Sequence, residues 1–254
     1  MNAMLVVARN TFRQTVREKI FYNVLFFGIG LTVLAVVVGQ ISFGFPDRVV
    51  RNVGLSGVSA AMDLVALLLG VGLVHQEIDR KTLFVVLTRP IRRSQYVLGR
   101  YLGLLGTLTL ALVGFSAVFT TALSLSHGSF AANDAVALSM CLPEAAVIAA
   151  IGLVLSCFST PGVGAGMGLG IWLASATTDD LVRLTERSPE AARMAAKAVY
   201  YALPSLARFN FREAATYALP VSFTDVAFST AYAVTYVAAL VALAGVVLSR
   251  RQMV

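Results

Sequence analysis

The sequence predicts an all-α membrane protein with six transmembrane helices, an N-terminal interfacial amphipathic helix and a further short helix on the cytoplasmic face. Three observations carry this. Of 254 residues, 58% are hydrophobic and 13% charged, with a mean hydropathy of +0.80. A soluble domain is about 45–50% apolar and about 25% charged, and a disordered chain needs low hydrophobicity and high charge, so both classes are excluded. Six apolar runs approach the roughly 20 residues a bilayer-crossing helix requires. Lys and Arg are also distributed unevenly between the connecting segments.

The runs are Ile20–Phe43, Val53–Val74, Leu102–Leu125, Leu138–Cys157, Gly162–Thr178 and Val226–Leu248. They are continuous and lack the alternating ten-residue segments of a membrane barrel. Helices are therefore expected, because lipid cannot satisfy free backbone N–H and C=O groups. The fifth run is short for a span. Six crossings put both termini on one side. That side carries twelve basic residues against three acidic ones, and the opposite side carries eight of each. The positive-inside rule then places both termini in the cytoplasm of an inner, multi-pass location. The formal charge of +7 is thereby a topology signal, and no nucleic-acid partner is needed to explain it.

The chain is read as one transmembrane domain over 1–254, with three segments outside the lipid. In 1–19, Leu5, Ala8, Phe12 and Val16 recur at helical spacing beside a stripe of Arg9, Arg13 and Arg17. That pattern suits a helix lying on the membrane surface. These arginines, with Lys19 and no small-residue cleavage site after the first apolar run, speak against a secretory signal peptide. The cytoplasmic segment 75–100 is longer than a hairpin needs. It holds an apolar block, Leu83–Leu87, between charged flanks; Pro90 disfavours helix at Arg89, and the next helix starts near Ser94. This is either a docking surface or a surface helix whose arginines only set topology. In the outer segment 179–225, Ser188-Pro189-Glu190 reads as a helix start, and Pro204 and Pro220 break the segment.

Within the spans, Gly162, Gly166 and Gly170 lie four apart, as do Gly164 and Gly168. No strand precedes them and no Gly-Lys-Ser/Thr ending follows, so close helix packing explains them better than nucleotide binding. Asp63 lies near the middle of span two, where a charge is costly. It is either a pathway residue or an acid bonded to a neighbour such as Ser59. Glu144 follows Pro143 near the outer start of span four and is either a second pathway acid or a residue favoured by the helix dipole. Cys141, Cys157, His75 and His127 form no metal-ligand pattern and are read as structural.

The order Glu77-x-Asp79-Arg80-x-Thr82-Leu83-x-x-x-Leu87-x-Arg89-Pro90-x-Arg92-Arg93-x-x-Tyr96-x-x-Gly99-Arg100 resembles the cytoplasmic loop of type-2 ABC exporter permeases. Lys81 stands where many members have Gly, a departure shared by the subgroup resembling copper-enzyme maturation permeases. The basic N-terminal helix, the outer Leu203-Pro204-x-Leu206-x-x-Phe209 and the terminal Ser249-Arg250-Arg251 fit the same pattern. The resemblance implies that 75–100 carries a coupling helix seated on a separate ABC ATPase subunit. Leu83, Phe84 and Leu87 would anchor it, Glu77, Arg80, Arg89, Arg92 and Arg93 would form a charged rim, and Thr82, Pro90 and Tyr96 complete the contact. It also implies a second permease copy or paralogue in the lipid bilayer. The outer segment would cap the translocation path. No cofactor is expected on this chain; ATP and Mg would bind the partner ATPase, since no P-loop occurs here and no catalytic constellation marks the chain as an enzyme. Two other readings are an ion-coupled secondary transporter using Asp63 and Glu144, which calls for inverted repeats that are not evident, and a membrane scaffold.

Overall fold

The computed structural model describes residues 3–41, 46–79, 93–178 and 203–250, with isolated positions at 185, 190, 193, 194, 197 and 200. Eight α-helices are defined among them: α1 (Ala3–Val16), α2 (Lys19–Ile41), α3 (Pro46–Asp79), α4 (Arg93–Leu125), α5 (Ala132–Ser156), α6 (Pro161–Ala176), α7 (Arg212–Tyr217) and α8 (Phe223–Arg250). A 3₁₀ turn at Leu206–Phe209 precedes α7.

Helices α3 and α5 form the centre. Most of each is buried within the chain, whereas α2 and α8 are mostly exposed. The two central helices run in the same direction and meet through glycine: a Cβ on Gly70 would lie 2.8 Å from the Ala149 carbonyl oxygen, and one on Gly152 would lie 3.0 Å from that of Leu67. Only a residue without a side chain lets two backbones approach so closely. On α2, Phe21, Val24, Gly28, Thr32, Ala35 and Gly39 recur every three or four residues and are buried. Phe26, Phe27, Val33 and Leu34, on its other face, are exposed. An apolar exposed face is stable in lipid and unfavourable in water.

Helix α4 runs antiparallel to α3, placing Phe119 against Gly54 and Arg100 against the carbonyl of Leu73. Helix α8 runs with α5, its Ala244 at the level of Cys157. The outer ends are tied by polar contacts. Arg51 donates to Asp47 at 3.2 Å and to the Ser129 carbonyl at 2.6 Å, and pairs with Asp134 at 3.3 Å. Asn133 donates to the carbonyls of Ala214 and Leu219, fastening α7 to the start of α5.

Among the described residues, five helices are long and apolar enough to cross a membrane: α2, α3, α4, α5 and α8. The predicted fifth run is α6. Its 16 residues span roughly 24 Å, short of the about 30 Å of a hydrocarbon core. It nevertheless runs back along α3 in the opposite sense, with Gly164 against Val71 and Gly168 against Leu67.

Two expectations change. Helix α5 starts at Ala132, six residues before the predicted span, so Glu144 sits twelve residues into the helix and dipole stabilisation at a helix start does not explain it. In α1, the residues facing protein are not the apolar stripe alone. Leu5 is exposed, while Thr11 and Thr15 are buried, Thr11 against Gly103 and Thr15 against Thr107 of α4, and Ala8 and Phe12 of the stripe pack on Gly103 and Gly106. Close backbone approach and part of the apolar stripe together make the seam. The predicted helix start at Ser188-Pro189 lies outside the described residues.

Candidate functional site: a buried acid pair and the root of the cytoplasmic loop

Asp63 and Glu144 come together between the two central helices. Asp63 lies roughly 24 Å along α3 from Asp47 and is 3% exposed. Its Oδ2 accepts from the Trp172 indole N–H of α6 at 2.9 Å, and its Oδ1 has no partner among the described residues. One turn away on the same face of α3, Ser59 donates to Glu144 Oε2 at 3.0 Å. The serine expected to satisfy Asp63 therefore serves Glu144. Arg212, on α7, acts electrostatically on both acids. Trp172 and Arg212 were not legible as members of this cluster, because only the antiparallel register of α6 and the folding back of α7 bring them to it. The cluster is interior to the bundle, and Asp63 is held there by its bond from Trp172 of α6.

The glycine pattern divides between two faces. Gly164 and Gly168 pack on α3, while a Cβ on Gly162, Gly166 or Gly170 would meet nothing within 4 Å among the described residues. The predicted packing trio thus lies on the other face of α6 from the seam with α3.

At the opposite end of the bundle from Arg51, α3 and α4 are the two legs of the 75–100 segment. Glu77 lies in the last turn of α3 and Arg93 opens α4. Arg80, Thr82, Leu83, Phe84, Leu87, Arg89, Pro90 and Arg92 lie outside the described residues. Tyr96 is buried, and its hydroxyl accepts from Arg100 Nε at 3.0 Å. Arg100, 1% exposed, also donates to the Leu73 carbonyl at 3.0 Å, to Gln14 Oε1 at 3.2 Å and to Thr11 Oγ1 at 3.4 Å. Its rigid fork of five donors joins α1 to both legs of the loop. Sequence reasoning counted Arg100 as a topology charge; the Gly99-x-x-x-Gly103 spacing was the available signal that this stretch is packed.

An apolar groove of about 1080 Å³ lies along α4, α5 and α8, lined by Leu102, Leu105, Met140, Pro143, Val237 and Val241 among others.

Apolar membrane-length helices with a buried polar cluster define an integral, multi-pass membrane protein. Residues 5–185 match the family described as ABC-2 family transporter protein, well over half of the chain, and the protein belongs to that family. It is thus an ABC-type transport permease. No curated protein matches the chain.

Proposed function

We propose that the chain is the transmembrane subunit of an ABC exporter and is driven by a separate ATPase that docks on 75–100. The family match carries this reading, since it includes both legs of that loop. The Arg100 junction supports it mechanically. Displacement of the loop by a closing ATPase would reach α1, α3 and α4 together, because one buried guanidinium bonds to all three.

In this reading α6 completes a sixth crossing, its shortness compensated by local thinning of the bilayer. Both termini then lie in the cytoplasm, as the Lys/Arg asymmetry requires, and the membrane is the inner one. Helix α1 lies at the cytoplasmic surface with Arg9, Arg13 and Arg17 exposed towards headgroups. The open Gly162, Gly166 and Gly170 face of α6 is available to a second permease chain. The Lys81 variation fits the copper-enzyme maturation subgroup.

Native mass measurement of the complex extracted in mild detergent tests this. Two permease chains with two ATPase subunits are expected. A transport-competent particle without any ATPase would overturn the reading.

A further inference from the structure

The acid cluster has features that ATPase coupling does not use. Asp63 Oδ1 and Ser175 Oγ are both buried without hydrogen-bond partners among the described residues. They belong to the same seam. Ser175 lies three residues beyond Trp172 on α6, on the face that buries Gly164 and Gly168. Helix α6 descends α3 in antiparallel register, Gly168 meeting Leu67 and Trp172 meeting Asp63. That register brings Ser175 to the level of Ser59 and Glu144. A carboxylate oxygen and a hydroxyl thus lie on the same α3–α6 seam about one helical turn apart, each lacking a partner among the described residues.

Charge balance points the same way. Besides Asp63, the seam holds Ser59 on α3, Glu144 on α5 and Trp172 and Ser175 on α6, with Cys141 on α5 and Arg212 on α7 within electrostatic range of the acids. Two carboxylates and one guanidinium leave a net charge of −1 inside the bilayer, where an uncompensated charge is strongly unfavourable. Arg212 is only partly buried, and its Nε is engaged by Asn210. One added monocation makes the cluster neutral.

We infer that Asp63, Glu144 and Ser175 form a proton-binding site that holds one exchangeable proton per chain. The proton comes from water and forms an O–H bond on a carboxylate oxygen of the pair; its release returns it to water, and no other bond changes. A water molecule carrying it would bond both orphaned atoms. Divalent metals do not fit. Ca²⁺ takes six to eight oxygen ligands and Mg²⁺ a near-ideal octahedron, whereas this seam is closed by Gly168 against Leu67 one turn away. Loss of the proton leaves two charges repelling each other between α3 and α5 and draws Arg212 inward, so the site links the protonation of the core to the outer segment that carries α7.

Infrared spectroscopy of the full chain in lipid nanodiscs, in D₂O at neutral pH, tests this without the ATPase. The wild type is expected to show the carbonyl stretch of about one protonated carboxyl per chain, lost in both Asp63→Asn and Glu144→Gln and independent of sodium or potassium. Absence of that band in the wild type would overturn the inference, whether or not the variants fold. So would a band that survives in both variants, or one that sodium or potassium abolishes, which would assign the site to a metal cation. Neither result bears on ATPase docking, which the native mass measurement reads separately.

Discussion

Arg100 shows how one side chain can define a junction. A guanidinium buried at the end of the bundle that carries the 75–100 segment is tolerated because its N–H groups bond to Tyr96, Leu73, Gln14 and Thr11. Hydrogen bonds to a charged group are worth about 1.5–3 kcal/mol each. Arg100→Met is therefore expected to lower stability by at least about 1.5–3 kcal/mol, read as a fall in melting temperature in nanodiscs. Arg100→Lys should recover little, since an ammonium lacks the planar fork. Full recovery by lysine would mean that charge alone, and not the geometry of the junction, holds α1 to the loop. The same residue marks a limit of sequence reading at this scale. Arg100 looks like its topogenic neighbours until the glycines beside it are seen to receive α1. Asp63 and Glu144 stood out in the sequence because acids are rare in spans, but their partners did not, because Trp172 and Arg212 reach them only through tertiary register.

At the scale of elements, glycine placement decides which helices touch. A Cβ on Gly103 would lie 3.1 Å from the backbone nitrogen of Phe12 and closer still to Ala8 and Thr11, whereas one on Gly166 would meet nothing within 4 Å. Gly103→Leu is expected to push α1 away from α4 and to cost about 1–3 kcal/mol through overpacking. Gly166→Leu should leave the stability of the single chain unchanged and instead weaken assembly if a second chain packs on α6. Thermal unfolding and native mass, measured on both variants, separate the two effects; equal destabilisation of the single chain by both would contradict the assignment of inner and outer glycine faces. Helix identity was legible in the sequence at every long apolar run, because hydrophobicity alone sets a membrane helix. Helix ends were less so. Helix α3 begins at Pro46 and α5 at Ala132, ahead of their apolar runs; at α5 the Ala131 N–H donates to Asp134, which pairs with Arg51, contacts that hydropathy does not register. In α1 the reading of faces held only in part: Ala8 and Phe12 pack on α4, but Leu5 is exposed and the buried Thr11 and Thr15 carry no apolar signal.

For the whole molecule, composition and the Lys/Arg asymmetry made the class and the predicted orientation legible before any contact was known, and the family match places the chain among ABC-2 transporters. The interior did not emerge from composition. That α3 and α5 are central while α2 and α8 are peripheral depends on paired glycines and on one serine–glutamate bond, features too sparse to read one span at a time. The central claim is that the cytoplasmic segment 75–100 receives a separate ATPase through Leu83, Phe84 and Leu87. Leu83→Asp combined with Leu87→Asp tests it most directly, because burying unpaired carboxylates in an apolar cleft costs several kcal/mol. The decisive measurement is the amount of ATPase, and of ATP hydrolysis, that co-purifies with wild-type and doubly substituted chains extracted from membranes in mild detergent. The wild type is expected to retain the ATPase, and the double variant to lose it while still inserting in the membrane at wild-type level. Equal ATPase recovery with both chains would contradict the docking role.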